Sequence, residues 1–212
     1  MTTVLIDYGA GNLHSAEKAL QRMAREADAG EVILSDRAED VARADRIVLP
    51  GDGAFPACMS ALRGDAGLFE ALVEAVEVKA RPFLGICVGM QLMARAGHEY
   101  ETVDGLGWIN GQVRRITPSD SQLKIPHMGW NDLVIDAVHP VLDGVETGAH
   151  AYFVHSYQME VASADELLAH CDYGGAVTAI VGRDTMVGTQ FHPEKSQDIG
   201  LRLIRNWLEW RP

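Results

Sequence analysis

Cys87 lies in G-I-C-V-G-M-Q, residues 85–91, with a glycine two positions away on each side. An apolar run, 82–86, leads into it and helix-compatible residues follow. A strand–nucleophile–helix corner needs unusual backbone angles at the nucleophile. Side chains two residues away would clash there, and Gly85 and Gly89 supply the room. A helix starting at Val88 offers free N–H groups and a dipole to a thiolate. The Val88 amide can also donate to the oxyanion formed when a thiolate attacks a carbonyl. Such a nucleophile wants a base. Of the eight histidines, His192 stands out in T-Q-F-H-P-E-K-S, at a strand end and followed by proline. Glu194, two positions on, can reach back to the far ring nitrogen, fixing the tautomer and stabilising the imidazolium. The chemistry is nucleophile, base and orienter, in the chain order Cys, His, Glu. The pattern alone equally allows His192 to be a strand-end histidine facing water. Cys58, in F-P-A-C-M-S-A-L, and Cys171, in L-L-A-H-C-D-Y, read as small core residues.

A corner of this kind must hang from a sheet. Short apolar runs at 4–7, 32–34, 47–49 and 82–86 read as strands. Between them Leu13, Ala16, Leu20, Met23, Ala24 and Ala27 recur at helical spacing, as do Leu68, Phe69, Leu72, Val73 and Val76. Strand–helix alternation predicts a mainly parallel sheet flanked by helices on both faces, an α/β fold. After residue 100 the runs 108–116, 129–135, 152–161, 166–170, 176–181 and 186–191 read as strands with short turns between them. That half is expected to be antiparallel, joined to the parallel sheet or packed beside it. A closing helix, 196–210, has Ser196 as its expected N-cap and a buried stripe of Leu203, Ile204, Trp207 and Leu208. No repeat or linker divides the chain, so one domain over 1–212 is expected.

A net charge of −12 sets a repulsive field against nucleic acid and anionic lipid. Three cysteines at long spacings suggest neither a disulfide framework nor a zinc site. The first residues lack a basic and apolar leader pattern, and no apolar run approaches the roughly 20 residues that span a bilayer. A cytoplasmic home follows as the expectation. His127 and His155 lie far apart without a ligand at metal spacing, and read as structural or interface residues. The G-A-G-N turn lacks the third glycine of a dinucleotide loop. No metal or cofactor is expected. Trp130, Trp207 and Trp210 read as core or interface aromatics.

Six segments together carry a resemblance: D-Y-G-A-G-N-L (7–13), L-P-G-D-G-A-F (49–55), G-I-C-V-G-M-Q (85–91), K-I-P-H-M-G-W-N (124–131), Y-F-V-H-S-Y (152–157) and F-H-P-E-K-S (191–196). With them the chain resembles the class I (triad) glutamine amidotransferases. Within that class it is similar to the glutaminase subunits of imidazole glycerol phosphate synthase, which serve histidine biosynthesis. The resemblance implies that Cys87 attacks the side-chain amide of glutamine and that His192, oriented by Glu194, moves the proton to departing ammonia. It implies a γ-glutamyl thioester that water hydrolyses to glutamate. The oxyanion donors would be Val88 and the Gly51–Asp52–Gly53 segment, and Gln91, Ser156 and Tyr157 would hold the substrate's amino-acid end. It also implies a heterodimer with a (β/α)8-barrel cyclase, touched by Asn12, Tyr152 and Lys195, with ammonia as the transferred product. The family's oxyanion strand commonly reads P-G-V-G. Here Asp52 replaces the valine, and its side chain is expected to point away from the developing charge. Rival readings are a glutaminase of another pathway, a binding scaffold on the same fold, and a cysteine peptidase.

Overall fold

The computed structural model describes residues 1–10, 13–64 and 67–212. Its first half alternates as expected. The elements are β1 (Thr2–Ile6), α1 (Leu13–Glu26), β2 (Glu31–Ser35), α2 (Ala38–Arg43), β3 (Arg46–Leu49), α3 (Phe55–Gly64) and α4 (Leu68–Val73). A π-helical turn, Glu74–Val78, extends α4 before β4 (Phe83–Ile86) and the single turn α5 (Val88–Gln91). The second half holds β5 (Ala94–Glu99), β6 (Glu101–Asp104), β7 (Ile109–Arg115), β8 (His127–Asp132), β9 (Val134–Ile135), β10 (His150–His155) and β11 (Tyr157–Val161). It ends with β12 (Leu167–Asp172), β13 (Ala176–Arg183), β14 (Met186–Thr189) and α6 (Gln197–Glu209).

The main sheet runs β2-β1-β3-β4-β14-β13-β12-β9. Strands β2, β1, β3, β4 and β14 are parallel, and β13, β12 and β9 continue antiparallel. β3 and β4 are buried along their whole length, as befits strands covered on both faces. The first connection steps to one side of β1 and the next steps back past it. Right-handed crossovers therefore send α1 and α2 to opposite faces. α1 packs with α6, while α2 and α3 pack with α4. A four-stranded sheet, β11-β7-β5-β6, and the pair β10-β8 stand beside this frame.

Several expectations need correction. The run 186–191 is where the two halves join: β14 is antiparallel to β13, as expected, but parallel to β4, with Thr189 opposite Ile86. The run 152–161 is two strands in two sheets, broken at Ser156. α2, α3, β5 and β6 gave no periodic signal, being short or packed on several sides. Ser196 is buried ahead of α6, but its hydroxyl caps nothing in that helix. It donates to the His192 carbonyl at 2.7 Å and accepts the Tyr152 N–H at 3.0 Å, so it braces the preceding loop instead.

Candidate active site

Cys87, the Gly51–Gly53 segment and His192 come from the loops after β4, β3 and β14, neighbouring parallel strands that all end on one edge. That edge is where open α/β sheets place their ligands. Cys87 has φ 55° and ψ −112°, strained for a non-glycine residue, at a cost of about 1–3 kcal/mol. Its N–H donates to the Thr189 carbonyl at 2.8 Å, which pins the corner to the next strand. The glycine spacing has a specific reason. A Cβ on Gly89 would sit 1.9 Å from the Leu49 carbonyl oxygen, and one on Gly85 would sit 2.7 Å from the Gly89 carbonyl oxygen. The corner is therefore wedged between β3 and its own strand. α5 spans only Val88–Gln91. The expected helix dipole is thus that of one turn, and the free first-turn amides are the larger contribution.

Gly51 packs on this turn: a Cβ there would lie 2.6 Å from the Gly89 nitrogen and 2.8 Å from the Val88 Cβ. Val88 and the Gly51–Gly53 segment are thus adjacent. The Tyr8 hydroxyl donates to the Pro50 carbonyl at 2.7 Å, anchoring the start of this segment. The Cys58 thiol donates to the Asp52 carbonyl at 3.7 Å. In a trans peptide the N–H opposes the C=O, so the Gly53 N–H is directed away from Cys58. Asp52 itself is exposed, at the rim of the Cys87 pocket and of the adjoining hollow at Gly9 and Ala57. Burial raises the Cys58 thiol and carries Cys171 up to about 12, so both remain protonated core residues, as read from the sequence.

His192 Nδ1 donates to Glu194 Oε1 at 2.9 Å, with the side chains 12% and 3% exposed. Burial alone would lower the histidine. Hydrogen bonding and charge from Cys87 and Glu194 outweigh it and raise the group to about 9. The loop is fixed by the His192 N–H donating to the Tyr152 carbonyl at 3.1 Å. A Cβ on Gly200 of α6 would collide with the Pro193 carbonyl oxygen at 1.8 Å, so the helix closes directly on this loop.

The pocket at Cys87 has a volume of about 230 Å³ and includes Gln91, Ser156 and Tyr157. That is below the roughly 300–1,000 Å³ of drug-sized sites and suits an amino-acid-sized molecule. Two residues passed over in the sequence belong here. Glu99, 8% exposed, lines the pocket and accepts the Phe55 N–H at 2.8 Å, at the start of α3. Nothing in its local pattern marks it. Gln190 is fully buried and donates to Cys87 Sγ at 3.7 Å. It lies past the end of β14, where the chain bends, and its partners are far along the chain, so its local pattern does not mark it either.

His155 also lines the pocket and pairs with His127 at 3.0 Å, both buried. Burial lowers His127 to about 4 and His155 to about 3, so the pair is neutral. Tyr152 is half-buried against Trp130, which is 48% exposed, and Lys195 is exposed. Trp207 and Trp210 are core. Asn12 lies outside the described residues. No helix among the described residues is long and apolar enough to cross a membrane.

Residues 4–209 match the family model for class-I glutamine amidotransferases. Curated relatives named imidazole glycerol phosphate synthase subunit HisH are 68% identical in Ruegeria pomeroyi and 69% in Cereibacter sphaeroides, each over all of both chains. A crystal structure of a glutamine amidotransferase superposes with TM-score 0.73 at 21% identity, covering 97% of both chains, and supports the fold alone. The chain belongs to the class-I glutamine amidotransferase family.

Proposed function

We propose that this chain is the glutaminase subunit of an imidazole glycerol phosphate synthase and passes ammonia to a barrel cyclase partner. The observation that carries the chemistry is the largely buried 2.9 Å His192–Glu194 pair beside a strained Cys87. The Cys87 sulfur attacks the carboxamide carbon of glutamine, and the amide oxygen becomes an oxyanion between Val88 and the Gly51–Gly53 segment. His192, protonated at neutral pH, delivers its proton to the departing ammonia. It then takes a proton from water as water attacks the thioester, and glutamate leaves. Gln91, Ser156 and Tyr157 hold the amino-acid end, and Glu99 takes the α-ammonium. The high identity to HisH-named relatives over the full length supports the pathway assignment.

The partner contacts Tyr152 and Lys195, and Asn12 as the third expected contact, with Lys195 forming an ion pair across the interface. Lys195→Ala should weaken cyclase affinity and uncouple the two half-reactions; unchanged affinity and coupling would remove Lys195 from the interface. The oxyanion segment acts as the switch that keeps basal turnover low. The deciding experiment measures glutamate release by the chain alone, with a barrel cyclase, and with cyclase plus its ribonucleotide ligand, using Cys87→Ser as control. Strong release only in the full mixture, lost in Cys87→Ser, is expected. Full activity of the chain alone would overturn the gating, and no activity from a chain that binds the cyclase would favour a scaffold.

A further inference from the structure

The nucleophile has a second polar neighbour that the triad leaves unexplained. Gln190 is 0% exposed, directly after β14, with its backbone N–H donated to the Ala179 carbonyl at 2.8 Å. Its side chain is held at both ends. Its Oε1 accepts a hydrogen bond from Gln91 Nε2 at 3.0 Å, which obliges its own Nε2 to face Cys87 Sγ, 3.7 Å away. Gln91 is fastened in turn, because its Nε2 also donates to the Tyr157 carbonyl at 3.1 Å. Both amide protons of Gln91 are thereby spent inside the protein, and its oxygen is what remains to receive a ligand in the pocket. The same Tyr157 carbonyl accepts His155 Nδ1 at 2.8 Å. His155 Nε2 then accepts from His127 Nδ1, whose Nε2 accepts from Asn131 at 3.2 Å. Two runs of hydrogen bonds therefore meet at the Tyr157 carbonyl, one donated from Asn131 and His127 on β8 through His155 on β10, the other from Gln91 on α5, whose second amide proton leads through Gln190 to the sulfur.

We propose that Gln190 is a positioning residue for the reactive form of Cys87, and that Gln91 transmits contact with the substrate's amino-acid end to it. The inference rests on Cys87 being the nucleophile. An N–H aimed at sulfur is a weak bond to a thiol and a stronger, charge-assisted one to a thiolate, so the contact favours the ionised form selectively. It also fixes the side-chain rotamer of Cys87, because a fully buried amide tied at both ends cannot follow a moving sulfur. The triad base works from the other partner, by taking and holding the proton. Gln190 adds a donor that carries no titrating proton of its own. The titratable and charged groups around Cys87 are His192 and Glu194 after β14, Asp52 after β3, Glu99 on β5, His155 on β10, Tyr8 after β1 and Cys58 on α3. The substitutions below leave all of them in place.

The test follows Cys87 alkylation by iodoacetamide across pH 5–10, read on the Cys87 peptide by mass spectrometry, together with steady-state glutaminase kinetics in the cyclase complex. Gln190→Met keeps length and burial without a donor. It should move the midpoint of the alkylation–pH curve upward by roughly one pH unit. It should also lower kcat about 10-fold with KM within about threefold. Gln190→Glu retains the acceptor for Gln91 and sets an acceptor-only group toward the sulfur. It should move the midpoint further, and it serves alone if Gln190→Met does not fold. Folding is checked by thermal melting. Wild-type alkylation and kcat profiles in a folded variant would overturn the proposal. A wild-type Cys87 no more reactive than Cys58 and Cys171 would instead overturn the nucleophile assignment beneath it.

Discussion

Replacing Glu194 by glutamine tests the centre of the argument, because it keeps the shape and one acceptor while removing the charge. His192 stands at about 9 against an ordinary 6.5, a gap of about 3 kcal/mol at about 1.4 kcal/mol per unit. Burial works against that gap, and Cys87 and Glu194 together create it. Without the carboxylate, burial and Cys87 remain, and the His192 midpoint should fall by roughly one unit or more. The sign for stability follows. A histidine raised above its unfolded value stabilises fully below about 6.5, and that contribution disappears as pH rises through about 9. The variant should therefore lose stability relative to wild type at pH 6 and converge with it above pH 9. The loss should be modest, about 1–2 kcal/mol, because Glu194 Oε2 is buried without a hydrogen-bond partner among the described residues and its desolvation is relieved. Catalysis should suffer more: kcat in the cyclase complex should drop about 10²–10⁴-fold with KM little changed, since a neutral amide supplies no charge to the imidazolium and can also donate to Nδ1, which admits the wrong tautomer. Isotope-edited NMR of His192 across pH, thermal melts at pH 6 and 9.5, and glutamate release together make the assay. A His192 midpoint unmoved from the wild-type value, with kcat within threefold, would refute Glu194 as the orienter.

Gly89→Ala should melt several degrees lower and lose nearly all glutaminase activity, because its Cβ meets a core-strand carbonyl oxygen at 1.9 Å and neither backbone can yield; a wild-type melting curve would show that α5 moves freely. Asp52→Val should preserve or raise glutaminase turnover by removing a negative charge from the rim of the Cys87 pocket; a large loss in a folded variant would reveal a direct role for the carboxylate. The neutral His127–His155 pair predicts acid sensitivity. Both histidines are lowered by burial, so stability present above about pH 6.5 should decline as the pH falls toward about 4 and 3. His127→Gln should flatten that decline in melts between pH 6.5 and 4, and an unchanged slope would show that the pair does not govern it.

The strand–cysteine–helix corner was legible because its requirements are local. Gly85 and Gly89 sit at fixed offsets from Cys87, and a bond between residues two apart, His192 and Glu194, needs only a turn. The parallel first half was legible for a related reason: an apolar run closed by glycine or proline, then an amphipathic helix, leaves few ways to bury both. The register of the second half was not. An alternating strand reads the same whether its neighbour runs parallel or antiparallel, so nothing in 186–191 announced that β14 would enter beside β4 and set His192 near Cys87. Glu99 and the Gln91–Gln190 link were equally silent, since each is a lone polar residue whose meaning depends on a partner far along the chain, 99 residues away for the glutamine pair. Ser196 shows the same limit from the other side. Its type and place suited a helix cap, but the loop it closes offered the His192 carbonyl and the Tyr152 N–H instead. Residue types and short spacings decided which chemistry this chain can perform. The tertiary fold decided which distant groups surround the sulfur, because sheet order and burial are settled by the packing of the whole chain.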